Sequence, residues 1–212
     1  MDIPRKRENI MYNMNIEISE EQYFKKPLYY NKSFTTLDNE RCIEITLGLR
    51  YKEKAKNIIE IGAVLPYYVV SDHVVIDPAD EKSTHKIGAE EYDYTDKHVL
   101  SISTVEHMGR LEYGLTNEDK DLAFNVLNCI LDSCKSCLIS WPVGFNKTLD
   151  DQVKNISHEI DHFFYKRGNS HWVLSYEKSN FDGLYQNHQP KCLGRTIICV
   201  TKGIKYETDN NI

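Results

Sequence analysis

The sequence predicts a single α/β domain built around a largely parallel sheet, and three apolar runs between Asn57 and Gly109 carry that prediction. Asn57–Leu65 is rich in Ile, Val and Leu and breaks at one glycine, Gly62. His73–Asp77 is a short β-branched run that stops at a carboxylate, and His98–Gly109 ends in an acid beside an imidazole, Glu106-His107. Uninterrupted Val/Ile/Leu runs are expected of strands buried on both faces, hence of a parallel sheet covered by helices. In such sheets ligands lie beyond the carboxyl ends of the strands, where all three polar endings fall.

Each remaining element has a local reason. Glu40 to Ala55 reads as a helix with Asp38 as N-cap and Ile43, Leu47 and Tyr51 on one face. Pro66-Tyr67-Tyr68 is too short for a full helix, and Pro78 to Lys82 is loop. Residues 86–94 are expected to form a short edge strand. Thr116-Asn117-Glu118-Asp119 is expected to cap a helix carrying Leu122, Val126, Leu127 and Ile130. Cys137 to Trp141 is another buried strand, stopped by Pro142 and Gly144, and Thr148 to about His158 is helical. The runs at Phe163–Tyr165, Trp172–Leu174 and Thr196–Val200 are strand-like without long helices between them, so the alternation ends in an antiparallel hairpin. Residues 1–35 read as an N-terminal extension, with a lead helix around Ser19–Tyr23 or an arm, and 36–212 as the domain.

Bulk properties exclude several function classes. The 212 residues suit one α/β domain rather than two. A net charge of -6 argues against nucleic acid as a partner, because phosphate binding needs a basic face, and Arg5-Lys6-Arg7 reads as a solvated tail. No apolar stretch approaches the roughly 20 residues of a membrane span, and the first residues lack a signal-peptide core. The six cysteines show no extracellular spacing and are expected to be reduced and mostly buried, so an intracellular, cytoplasmic protein is expected. The sequons at Asn31, Asn146 and Asn155 are then chance matches.

At the strand ends, Gly62 lets backbone approach a ligand closely, although a lone glycine in a tight turn has a purely structural explanation as well. Asp77 is placed to accept hydrogen bonds from a ribose diol. One glycine without G-x-G-x-x-G disfavours a dinucleotide. Glu106 and His107 are the candidate catalytic pair, either one serving as general base. The alternative is that His107 packs beneath a ligand and Glu106 caps the turn.

Taken together, Glu60-Ile61-Gly62-Ala63-Val64-Leu65, Val75-Ile76-Asp77 and Leu100 to Gly109 resemble class I S-adenosylmethionine-dependent methyltransferases. The likeness is to the small sugar O-methyltransferase-like branch found with glycosyltransferases in bacterial and large-virus glycan synthesis. Trp141 to Asn146, Leu149-Asp150, Phe164 to Arg167, Trp172 and Thr196 to Lys202 extend it over roughly residues 45 to 203.

The resemblance implies a Rossmann-like seven-stranded sheet with helices on both faces and an antiparallel last strand. It implies S-adenosylmethionine held by Glu60, Gly62, Ala63, Asp77, Glu90, Asp93 and Ser103, with the methionine end over Gly62, the ribose on Asp77 and the adenine near Glu90 or Asp93. Transfer would go to a hydroxyl of a sugar or oligosaccharide acceptor met by Asn146, Asp150 and Tyr67. Acidic residues around the mouth leave room for a divalent metal, which nothing in the spacing demands. The partner implied is a glycosyltransferase, as a separate protein or as the rest of a longer chain, and a virus-encoded protein in a host cell fits the same expectation.

Two other classes stay open. One is a methyltransferase-like module without catalysis that serves as a binding or scaffold part of glycan assembly. The other is a zinc peptidase, because His158-Glu159-Ile160-Asp161-His162 matches H-E-x-x-H, with His171, Glu177 or His188 as a third ligand. Asp161 between the ligands and the strand-like Phe163–Tyr165 argue against that helix. Cys134-Lys135-Ser136-Cys137 follows a helix rather than starting one, so two buried thiols are expected there rather than a redox or zinc motif.

Overall fold

A computed structural model describes residues 40–112, 117–155, 161–167, 172–175, 186–188, 191–193 and 196–203, with side chains at 40–112, 117–155 and 196–203. The expected extension, its boundary, Asp38 and His158 lie outside the described residues. Helix α1 spans Arg41–Lys54, followed by strands β1 (Ile58–Ile61), β2 (Val74–Ile76) and β3 (His98–Ile102). Helix α2 (Leu122–Ser133), β4 (Ser136–Pro142) and α3 (Lys147–Lys154) come next. The last strands are β5 (Asp161–Arg167), β6 (Trp172–Ser175), β7 (Gln186–His188), β8 (Lys191–Leu193) and β9 (Thr196–Lys202).

The main sheet has the order β2-β1-β3-β4-β9-β5-β6, while β7 and β8 form a separate hairpin. Strands β2, β1, β3 and β4 are mutually parallel, and β9 runs antiparallel to both β4 and β5. The sheet is therefore mixed, and the domain is of α/β character. Alternation along each strand splits the core in two. Ile58, Leu100, Ile102, Leu138 and Cys199 pack under α1, whereas Ile59, Val99, Cys137, Ile139 and Trp141 pack under α2 and α3. All seven residues of β4 are buried, Ser136 and Ser140 included, as in a strand covered on both faces.

Several local expectations are corrected. Residues 86–94 form no strand: a single parallel bridge joins Ile76 to His85, and Ala89–Glu91 makes one 3-10 turn. Gly88 and Tyr94, whose hydroxyl donates to the Ala89 carbonyl, tie that segment to itself instead of to β2. The cap of α2 is Asp121 rather than the expected 116–119 segment, because the Asp119 N–H donates to the Gly109 carbonyl and holds Asp119 in the incoming turn. Helix α3 ends at Lys154, short of His158. His162 lies on β5, paired with Val200 of β9, so the H-E-x-x-H segment is not a helix through its second histidine and a peptidase zinc site is not formed that way. Cys134 and Cys137 are buried free thiols.

Candidate functional site

Parallel register brings the carboxyl ends of β1 to β4 to one sheet edge. The Gly62 N–H donates to the Ile76 carbonyl at 2.9 Å, and the Ser103 N–H donates to the Ser140 carbonyl at 2.8 Å, so the turns after neighbouring strands are stitched together. Gly62 has φ +79°, a left-handed conformation natural to glycine. The space above it belongs to the protein: a β-carbon at Gly62 would lie 2.1 Å from Thr104 Oγ1. Any side chain at this position would have to displace Thr104.

Glu60 is fully buried and used by the same turn. Its Oε1 accepts from the Val64 and Leu65 N–H groups at 3.0 and 2.7 Å, and its Oε2 meets His73 Nε2 at 2.5 Å. It shapes the loop that carries Ala63, half-buried, rather than facing a ligand. Asp77 stands at the tip of β2, half-buried, with Oδ1 accepting from the Ala79 and Asp80 N–H groups at 2.8 Å. That turn fixes the carboxylate.

Glu90 and Asp93, the acids expected near an adenine, each fold onto their own turn. Glu90 is exposed and folds back over Gly88. Asp93 accepts from the Thr95 N–H in the turn entering β3, where Asp96 bonds to the end of α2, so it lies toward the opposite, amino-terminal edge of the sheet. Ser103, at φ +40°, turns its hydroxyl to the Glu44 carboxylate, 2.8 Å from both oxygens.

On the 3-10 turn Val105–His107 the Glu106 side chain is buried and that of His107 is partly exposed, with His107 Nε2 3.8 Å from Glu106 Oε1. Glu106 is 1% exposed, and its Oε2 has no hydrogen-bond partner among the described residues. Burial, reinforced by the charge of Glu44, holds its carboxyl well above the ordinary carboxylate range, with Arg41 offsetting part of the effect. Burial thus favours the neutral form of this carboxyl.

His107 is partly exposed. Its Nδ1 lies 2.5 Å from Glu112 Oε2, its ring centroid lies 4.5 Å from that of Phe145, and Arg110 covers the Phe145 ring at 5.1 Å. A carboxylate at Nδ1 selects the tautomer protonated there and leaves Nε2 as the basic nitrogen. Burial pushes the Glu112 carboxyl up, but the hydrogen bond and charge of His107, joined by Arg110, outweigh it and hold the group below its ordinary value.

The expected acceptor ligands are committed elsewhere. Asn146 is buried, donating from Nδ2 to the Glu106 carbonyl and accepting the Leu149 N–H as the cap of α3. Asp150 is buried and accepts from Trp141 Nε1 at 2.9 Å and the Gly144 N–H at 2.6 Å. Tyr67 donates to Asp80 on the rim of a different cavity, of about 510 Å³, lined also by Ser71 and His73. The cavity beside Phe145 and Arg110 measures about 260 Å³.

Three participants escaped the sequence reading. Glu44, fully buried inside Cys42–Gly48, accepts from Ser103, Ser140 and Arg41 and so anchors α1 to the ends of β3 and β4. A carboxylate inside an apolar helical run was its one signal. Arg41 follows from Glu44 by i,i+3 spacing, and Glu112 had no signal beyond being an acid near His107. Among the described residues no group of three or more His, Cys, Asp or Glu side chains is arranged to hold a metal ion, and no helix is long and apolar enough to cross a membrane. The chain matches no family model, no curated protein and no solved structure.

Proposed function

We propose that the protein is an S-adenosylmethionine-dependent O-methyltransferase whose acceptor is a sugar hydroxyl of a glycan or its precursor. The observation that supports the reading is the shared sheet edge: the Gly62 turn, Asp77 and the Glu106-His107 turn end three parallel strands, with antiparallel β9 lying between β4 and β5. The finer fold reading, a Rossmann-like methyltransferase sheet of seven strands, belongs to the same proposal. The acceptor class and the glycosyltransferase association rest on the family resemblance alone.

Asp77, its carboxylate pre-set by its own turn, would hold the ribose of the cofactor, and the turn at Gly62 would hold its methionine end. When bound, it supplies an electrophilic methyl group. His107, oriented by Glu112, takes the acceptor proton at Nε2.

A second reading, a methyltransferase-like binding module without turnover, draws support from Thr104 filling the space over Gly62 and from the internal use of Glu60. Calorimetric titration with S-adenosylmethionine and S-adenosylhomocysteine separates the two. Micromolar binding of one equivalent is expected, and no binding of either compound removes the methyltransferase reading.

A further inference from the structure

The β1–β2 connection carries a second constellation of chemical groups. Ser71 Oγ lies 2.5 Å from His73 Nδ1, the nearer ring nitrogen, and His73 Nε2 lies 2.5 Å from Glu60 Oε2. The imidazole side chain is 3% exposed and the glutamate fully buried. Because Glu60 accepts the Val64 and Leu65 N–H groups on its other oxygen, its carboxylate is fixed in place. A carboxylate at Nε2 selects the tautomer protonated at that nitrogen, so Nδ1 is left to accept the serine proton. Ser71 and His73 both line the cavity of about 510 Å³, whose walls include Tyr68, Val69 and Val70, and Lys82 stands on its rim with its ammonium bonded to the Pro66 carbonyl.

We propose that Ser71, His73 and Glu60 form a nucleophile–base–orienter triad that hydrolyses small carboxylic esters in this cavity. The diagnostic geometry is a nucleophile within reach of a base that a third group orients. The roles of the two ring nitrogens are exchanged relative to those in serine-hydrolase triads. Ser71 Oγ attacks the ester carbonyl carbon while its proton passes to His73 Nδ1. The C–O bond to the alcohol breaks and the alcohol leaves with that proton. Water, deprotonated by His73, then attacks the acyl-serine, releasing the carboxylic acid and returning the proton to Ser71. Lys82 supplies positive charge to the same cavity. The cavity suits an acyl group of a few carbons, O-acetyl esters among them, and the proposal is independent of methyl transfer.

The test uses the full chain with p-nitrophenyl acetate and a fluorophosphonate probe, followed by peptide mass spectrometry. Expected are a burst of one p-nitrophenol per chain, the probe on Ser71, and hydrolysis at least about 100-fold faster than that of Ser71→Ala. Ser71→Ala removes only a loop hydroxyl, and its thermal midpoint is checked against the parent. Labelling of the unaltered chain needs no variant. No burst, a label on another residue, or equal hydrolysis by a folded Ser71→Ala overturns the proposal.

Discussion

Thr104 stands over the α-carbon of Gly62, its Oγ1 placed 2.1 Å from where a β-carbon would be. One side chain from the end of β3 thereby dictates the residue type at the end of β1. Gly62→Ala combines the left-handed backbone cost of about 1–2 kcal/mol with a displaced Thr104. A total loss of about 2–4 kcal/mol is expected, read as a lower urea midpoint. Adding Thr104→Ala should recover part of it; an unchanged midpoint for Gly62→Ala alone would show that the turn simply rearranges.

His107→Ala is expected to lower turnover roughly 10²- to 10⁴-fold while leaving S-adenosylmethionine affinity nearly unchanged. Glu112→Gln, which keeps a group at Nδ1 but loses the charge, should give a smaller fall in the same parameter. Equal losses in kcat and cofactor affinity would make His107 a packing residue.

Asp77→Asn keeps an oxygen for the Ala79 and Asp80 N–H groups, so the turn should survive. Cofactor affinity should nevertheless fall about tenfold, about 1.4 kcal/mol, through the lost carboxylate. Calorimetry reads this directly, and wild-type affinity would take Asp77 out of the site.

Burial raises the Asp150 carboxyl to about 6, against hydrogen bonds from Trp141 and the Gly144 N–H that lower it. Its folded value lies above the unfolded one near 3.9, so the native state binds the proton more tightly between about pH 4 and 6. In that window Asp150 makes stability fall as pH rises, by on the order of 2–3 kcal/mol in all, and above it the effect is constant. The raised Glu106 carboxyl acts in the same direction. Denaturation midpoints measured across this range should show the decline in the parent and a shallower one in Asp150→Asn. The same slope from pH 4 to 6 in the parent and the variant would mean that Asp150 keeps an ordinary carboxylate pKa.

Sequence periodicity was enough to locate α1, the first three strands, α2 and β4, because burial on one stripe or on both faces is written into local residue order. The break at Gly62 and the acid at the tip of β2 were legible for the same reason. Residues 86–94 misled because hydrophobic and aromatic residues there pack onto the core from a turn, as Tyr94 does, without pairing as a strand.

What each polar group does was settled only by the tertiary structure. Glu44 meets Ser103 across 59 residues and Ser140 across 96, and no local pattern announces such meetings. Asn146 and Asp150 look like mouth residues in sequence, yet in space the Glu106 carbonyl and the Trp141 indole claim them. Glu106 and His107 are neighbours in the chain, but the 3-10 turn sends one into the core and leaves the other partly open to solvent. The sequence by itself determined which segments are buried and at which edge the strands end, since side-chain period and chain direction are local properties. Only packing decided which polar groups are spent on holding the fold and which remain for a ligand, because a buried hydrogen-bonding group must find its partner wherever the fold brings one.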